Sequence, residues 1–113
     1  MGKMSKEKGK RGERELAKEL IELGFKECKR GQQFSGIEGE DVVGIEGVHI
    51  ECKRTETLRL YEALDQAIRD ADGKKIPIVC HKKNRGEFVA ILRLKDVVEF
   101  AKIIMDQRKD EEE

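Results

Sequence analysis

The stretch Val48-His49-Ile50-Glu51-Cys52-Lys53 alternates apolar and polar side chains. In an extended strand, Val48, Ile50 and Cys52 share one face, while His49, Glu51 and Lys53 share the other. An acid and a lysine two positions apart therefore project together from rigid backbone. Asp41 stands ten residues earlier, on what reads as the partner strand of a hairpin. Two carboxylates brought together from adjacent strands can hold Mg²⁺ or Mn²⁺, which prefer oxygen ligands. Such an ion polarises a phosphate and lowers the pKa of bound water. A lysine alongside can orient that water or stabilise charge growing on the phosphate.

The triplet alone is weak evidence in a chain with 42% charged residues, because acid-x-Lys recurs by chance. Glu27-Cys28-Lys29 and Asp72-Gly73-Lys74 match it too. The first has only a helix at the matching upstream distance, and the second sits at a helix end. Glu51 and Lys53 differ in having a hairpin partner that carries an acid. Which acid faces Glu51 depends on the turn between the strands. If Gly44 pairs with Gly47 around a symmetric two-residue loop, Glu40 is the one opposite. A three-residue loop with Gly47 as a bulge puts Asp41 there instead, and glycine suits such a bulge. Asp41 is favoured on that basis.

Glu13 is a further candidate. On a helical wheel of about 100° per residue, Leu16, Ala17, Leu20 and Ile21 fall within about 80° on either side of it. Glu13 is thus expected in the middle of a buried stripe and Glu15 toward solvent. An inward carboxylate costs free energy unless it is paired or binds a metal. The alternative is that Glu13 sits in the first turn and complements the helix dipole.

The elements that must position these residues read as follows. Residues 1–11 are expected to be a flexible basic arm, with six basic residues from Lys3 to Arg14 against Glu7 and Glu13. A helix is expected from Gly12 to Leu23, stopped by Gly24. A short strand over 25–29 leads to a glycine-rich loop, 30–39. The hairpin follows, with strands over 40–43 and 48–53. A second helix covers 59–72, ending at Gly73. Strands over 76–81 (with Pro77 at its start) and 87–92 flank the polar turn Lys82–Gly86. Asp96 and Glu99 form a capping signal before a last helix to about Arg108. That helix is apolar over a wide arc: Val97, Val98, Phe100, Ala101, Ile103, Ile104 and Met105. One side can bury on the core; the other suggests a contact with a second copy. Residues 109–113 are an acidic tail. The order helix, three strands, helix, two strands, helix predicts an α/β fold, a mixed five-stranded sheet flanked by helices.

The totals bound the function. A length of 113 residues suits one domain, here 12–108. Net charge is zero, with 24 basic and 24 acidic residues, so any nucleic-acid contact must come from local basic patches. Three cysteines without a CxxC pair and two histidines do not form a zinc pattern, and at least one thiol is unpaired. No signal peptide is evident, nor any apolar run near the roughly 20 residues that span a membrane. A cytoplasmic setting is expected.

Several segments, taken in order, resemble the Holliday junction resolvases of archaea and phages, within the PD-(D/E)xK nuclease superfamily. They are Lys8 to Ala17 (KGKRGERELA), Gly24-Phe25, Glu40-Asp41-Val42-Val43 and Ile50-Glu51-Cys52-Lys53. Phage members look closer still, through Leu60 to Ala63, Asp65 to Ala67, and His81 to Arg85. The resemblance covers about residues 8–95. It implies a restriction-endonuclease-like fold and Mg²⁺-dependent cleavage of four-way DNA junctions by paired nicks, with Mn²⁺ as a substitute ion. It also implies a homodimer, joined through the C-terminal helix by the reading above, and a prokaryotic or phage setting. By that likeness Glu13, Asp41 and Glu51 hold the metal and Lys53 is the catalytic lysine. Gln66 matches a glutamine often placed beside such sites; an ordinary helix-flank role is equally open. The 30–39 loop, with Arg30 and Ser35, looks like the segment that meets DNA, although a solvent loop is the plain alternative. Glu40 stands where the family motif usually has proline, leaving open whether Glu40 or Asp41 binds the ion. Lys8, Lys10 and Arg11 in the arm, and Lys82, Lys83 and Arg85 at the hairpin tip, are candidate phosphate contacts. His49 is expected to be simply packed or exposed. Alternative readings are a phage or restriction-type nuclease acting on duplexes, flaps or single strands, and a nuclease-like DNA-binding module without catalysis.

Overall fold

The computed structural model describes residues 3–31 and 39–112, with side chains over 9–31 and 39–107. The elements are α1 (Lys3–Glu22), β1 (Lys29–Arg30), β2 (Val42–Val43), β3 (Val48–Arg54), α2 (Leu60–Ala71), β4 (Ile76–Lys82), β5 (Val89–Ile91) and α3 (Val97–Glu112), with a 3₁₀ turn at Leu94–Asp96 before α3. The strands form one five-stranded sheet in the order β1-β2-β3-β4-β5. β3 and β4 are parallel, joined by the crossover helix α2, and every other neighbouring pair is antiparallel. The chain is therefore α/β with a mixed sheet flanked by helices, as expected.

The largest departure is at the start. α1 begins at Lys3, not at Gly12. Residues 3–11 are mostly Lys, Glu, Met and Arg, which favour helix and extend it by a further turn and more. Gly12 interrupts that preference for a packing reason. A Cβ there would lie 2.8 Å from the Cβ of Arg54 and 3.7 Å from Cys52 Sγ, so α1 crosses β3 at its closest approach here. At the other end, Gly24 N–H donates to the Ile21 carbonyl and Phe25 N–H to that of Leu20, a Schellman stop at the expected glycine.

The outer strands are shorter than expected. β1 starts at Lys29 because residues 25–28 form a turn, in which Cys28 N–H donates to Phe25 O. That turn buries Phe25 and Cys28 in the core. β4 accommodates Pro77 inside a strand rather than at its edge. Ile76 N–H donates toward β3, at Gly47 O, so the position that proline leaves without an N–H faces β5. β5 pairs only from His81 back to Val79 and asks for no donor at Pro77.

Two apolar layers result. On one face α1 and α3 cover Val42, Val48, Ile50, Ile76, Ile78 and Cys80, with Leu16, Ala17 and Phe25 inserted and Phe100, Ile103 and Ile104 closing the edge. On the other, α2 sets Ala63, Leu64 and Ala67 on Val79. Each large side chain buried this way contributes about 1.5–3 kcal/mol. The expected capping role of Asp96 has no hydrogen bond behind it among the described residues: Asp96 lies in the 3₁₀ turn and its carboxylate accepts from Arg93 Nε at 2.8 Å. The 3₁₀ turn and α3 together carry exposed apolar residues, Leu94 on the turn and Val97, Val98 and Met105 on the helix.

Gly44 closes the β2–β3 hairpin against β1. Its φ is +125°, and a Cβ would lie 2.6 Å from Cys28 N. Gly73 also has positive φ, +70°, but nothing lies within 4 Å of a Cβ there. Gly44→Ala is expected to lower the unfolding free energy by about 2–4 kcal/mol, from backbone strain plus overlap. Gly73→Ala should cost only about 1 kcal/mol. Urea denaturation of both variants measures the difference; equal losses would contradict the packing at Gly44.

Candidate active site

The hairpin register decides which acid faces Glu51. Val42 pairs with Ile50, so one step along the ladder sets Asp41 level with Glu51. Between Gly44 and Val48 the loop holds three residues, Ile45, Glu46 and Gly47, with Gly47 at φ +87°. This is the odd-numbered loop, with glycine at its end, favoured over the symmetric two-residue one. Asp41 is further tied down by its backbone, whose N–H donates to Ile50 O at 3.0 Å.

The Asp41 carboxylate accepts a 2.8 Å hydrogen bond from Cys52 N–H. Its pKa is pushed up to about 7. Burial is the main cause, partly opposed by that backbone bond; the charge of Glu51 and a shared hydrogen bond with it raise the value further. Two carboxylates thus oppose each other in a largely buried place, with Lys53 near enough to offset part of the charge. Such a pair is a donor set that a divalent cation would relieve. Lys53 Nζ donates to Gln66 Oε1 at 3.2 Å, so α2 fixes the ammonium through the glutamine that the family resemblance singled out.

Glu13 lies on the inner side of α1 with its side chain 18% exposed, and it accepts from Arg30 Nε at 2.7 Å. Because α1 starts at Lys3, Glu13 is well inside the helix, which removes the first-turn dipole explanation. Burial raises its pKa, the Arg30 hydrogen bond opposes this, and the charge of Asp41 adds to the rise. Glu13 therefore senses Asp41 but is held by Arg30. The one group of three or more metal-capable donors gathered within 4.8 Å among the described residues is a different one: His49, Glu51 and Asp70.

Glu40 is not beside Asp41's partners. Its Oε1 meets Lys75 Nζ at 2.7 Å and lies 3.7 Å from His49 Nδ1. His49 is buried, and its Nε2 meets Glu51 Oε1 at 2.7 Å. Burial works against the charged imidazole, but the hydrogen bond and charge of Glu51 prevail and raise its pKa. The expectation of a merely packed or exposed histidine missed this contact, although the shared face of His49 and Glu51 was readable from their spacing.

Glu15 also departs from expectation. It does not simply face solvent: it takes Lys82 Nζ at 2.6 Å and Arg54 Nε at 3.0 Å, and these partners, Lys82 first, lower its pKa. β3 and β4 extend to Arg54 and Lys82, and these long side chains reach the outer side of α1.

The candidate phosphate contacts sort by environment. Arg30 and Lys82 are engaged by Glu13 and Glu15. Lys10, Arg11, Lys83 and Arg85 are exposed. The side chain of Lys8, and Ser35 with the middle of its loop, lie outside the described residues. Sequence reasoning missed a cleft of about 370 Å³ beside Lys53 and Gln66, lined also by Thr55, Thr57, Arg59 and Arg69. It offers cations and hydroxyls next to the lysine, and its signal was the arginine pair flanking α2. Cys52 and Cys80 adjoin across β3 and β4, and burial pushes both thiols up to about 12, which makes them poor nucleophiles.

The chain matches no protein-family model, no curated protein and no solved structure. No helix among the described residues is long and apolar enough to cross a membrane.

The Asp41 shift sets a pH dependence. The unfolded chain releases this proton near 3.8 and the fold near 7. Between those values the fold holds a proton that the unfolded chain has lost, so this contribution to stability fades as pH rises from 3.8 to about 7. In metal-free buffer Asp41→Asn should remove that decline and melt above wild type at alkaline pH. Thermal unfolding followed by circular dichroism across this range tests it. A wild-type melting temperature that does not fall over the interval would contradict the carboxylate pairing.

Proposed function

We propose that this chain is a divalent-metal-dependent endodeoxyribonuclease with a restriction-endonuclease-like fold, acting on branched DNA and above all on four-way junctions. The observation that carries the reading is the hairpin register. It sets Asp41 level with Glu51 while Lys53, two residues on, is held by Gln66 at the edge of an open cleft. Asp41 and Glu51 would hold Mg²⁺ or Mn²⁺, with Glu13 close enough to contribute charge. When bound, such an ion supplies positive charge to a phosphate oxygen and acidifies attached water.

The protein's own groups do the rest. Lys53 offers an ammonium to the negative charge that grows on the phosphate, and Gln66 keeps it aimed. Arg59 and Arg69 at the cleft attract the neighbouring phosphates. The exposed cations of the β4–β5 turn, Lys83 and Arg85, extend the contact. The exposed apolar residues on α3 support pairing of two copies, which would present two sites to symmetry-related strands of a junction. A chain with zero net charge suits recognition by local patches rather than by a broad positive field.

Lys53→Ala and Glu51→Gln are each expected to lower cleavage of a synthetic four-way junction by at least about 10²-fold. Junction binding in gel-shift assays should persist in both. The assay compares junction, flap and linear duplex side by side with Mg²⁺. Preference for flap or duplex would replace the junction reading by a different nuclease substrate. Retained binding with no cleavage of any DNA under Mg²⁺ or Mn²⁺ would leave a DNA-binding module.

A further inference from the structure

We infer that His49, Glu51 and Asp70 form a second divalent-ion site, suited to a transition metal and separate from the Asp41 side of Glu51. Glu51 is the hinge of the arrangement. It interacts with Asp41 and also meets His49 Nε2 at 2.7 Å, where Asp70 of α2 completes a cluster with all donor atoms within 4.8 Å. Donors on a single ion stand roughly 3–4 Å apart, given bond lengths near 2.0–2.2 Å, so this group needs little adjustment. One imidazole nitrogen with two carboxylates favours Mn²⁺, Co²⁺ or Zn²⁺ over Mg²⁺, which rarely accepts nitrogen.

The surroundings of the imidazole supply an independent argument. A metal-ligating histidine characteristically turns its second ring nitrogen to a carboxylate, which fixes the tautomer and strengthens the ligand. At His49 the corresponding carboxylate is Glu40, which stands at ion-pair rather than hydrogen-bond distance. Nε2 points into the cluster, while Nδ1 faces Glu40 Oε1 at 3.7 Å. Glu40 is in turn anchored by Lys75 at 2.7 Å. His49 and Glu51 are buried, and Asp70 is the partly exposed member of the cluster.

The arrangement does not depend on the nuclease reading, and the test separates them. The full-length protein is titrated with Co²⁺ alone, without DNA, and followed by visible d–d absorption and equilibrium dialysis. Wild type should bind with a spectrum of mixed nitrogen and oxygen ligation. His49→Gln and Asp70→Asn should each weaken Co²⁺ binding at this site by at least about tenfold, and Glu40→Gln by about 10–100-fold. Asp41→Asn should leave it within about threefold. Asp70 lies on a partly exposed helix face, so its variant carries the test if His49→Gln does not fold. Unchanged Co²⁺ affinity in Asp70→Asn, or an equal loss in Asp41→Asn, would overturn the second site. Neither result bears on cleavage with Mg²⁺.

Discussion

Two carboxylates forced to face each other across a hairpin are the constraint on which the rest of this structure turns. Asp41 and Glu51 come level because the loop between their strands has three residues, with glycine at positive φ. One residue more or fewer would swing Asp41 to the opposite face of the sheet and bring Glu40 around. Burial, with the charge of Glu51 beside it, then raises the cost of charging Asp41, which is why Asp41 holds its proton up to about 7. This local conflict is of the kind that folds tolerate at functional sites and offset elsewhere.

The offset lies in how the central strand is covered. β3 sends Val48 and Ile50 into an apolar layer under α1 and α3, while His49, Glu51 and Lys53 emerge on the side of α2. The parallel partner β4 is buried along most of its length, so the pair gives the polar face a stiff backing. α2 does two jobs with one helical repeat. Ala63, Leu64 and Ala67 pack on the sheet, and Gln66 and Asp70, four apart, reach the acidic and basic groups of β3. Small residues on the packed side let this helix approach closely enough for a glutamine and an aspartate to reach the strand.

Some of the charge on this protein is paired internally. Glu15 of α1 gathers Arg54 and Lys82 from the ends of two strands, and Glu13 takes Arg30 from β1. These pairs tie the helix to the sheet, although partly exposed ion pairs add little stability individually. Their consequence is selectivity about which cations face outward. Exposed basic residues include Lys10, Arg11 and Arg14 on α1, Lys83 and Arg85 on the β4–β5 turn, and Arg59 and Arg69 at the cleft beside Lys53, with others such as Lys29, Lys95 and Lys102 elsewhere on the surface.

Much of this was legible in the order of residues. The alternation at Val48–Lys53 put Glu51 and Lys53 on one face, Gly47 allowed the odd-numbered loop beside an even one, and Gly24 marked the end of α1. These are local rules, of period and of backbone freedom, and they need no knowledge of neighbours. The beginning of α1 was hidden because Gly12 looks like a helix boundary until Arg54 and Cys52 are seen packed against it. The partners of Glu15, the turn of Glu40 toward His49, and the arrival of Asp70 at Glu51 were hidden for the same reason. Each joins residues far apart in the chain through the crossing of a helix over a sheet, and a side chain's partner across such a crossing depends on distances that only the packed layers set.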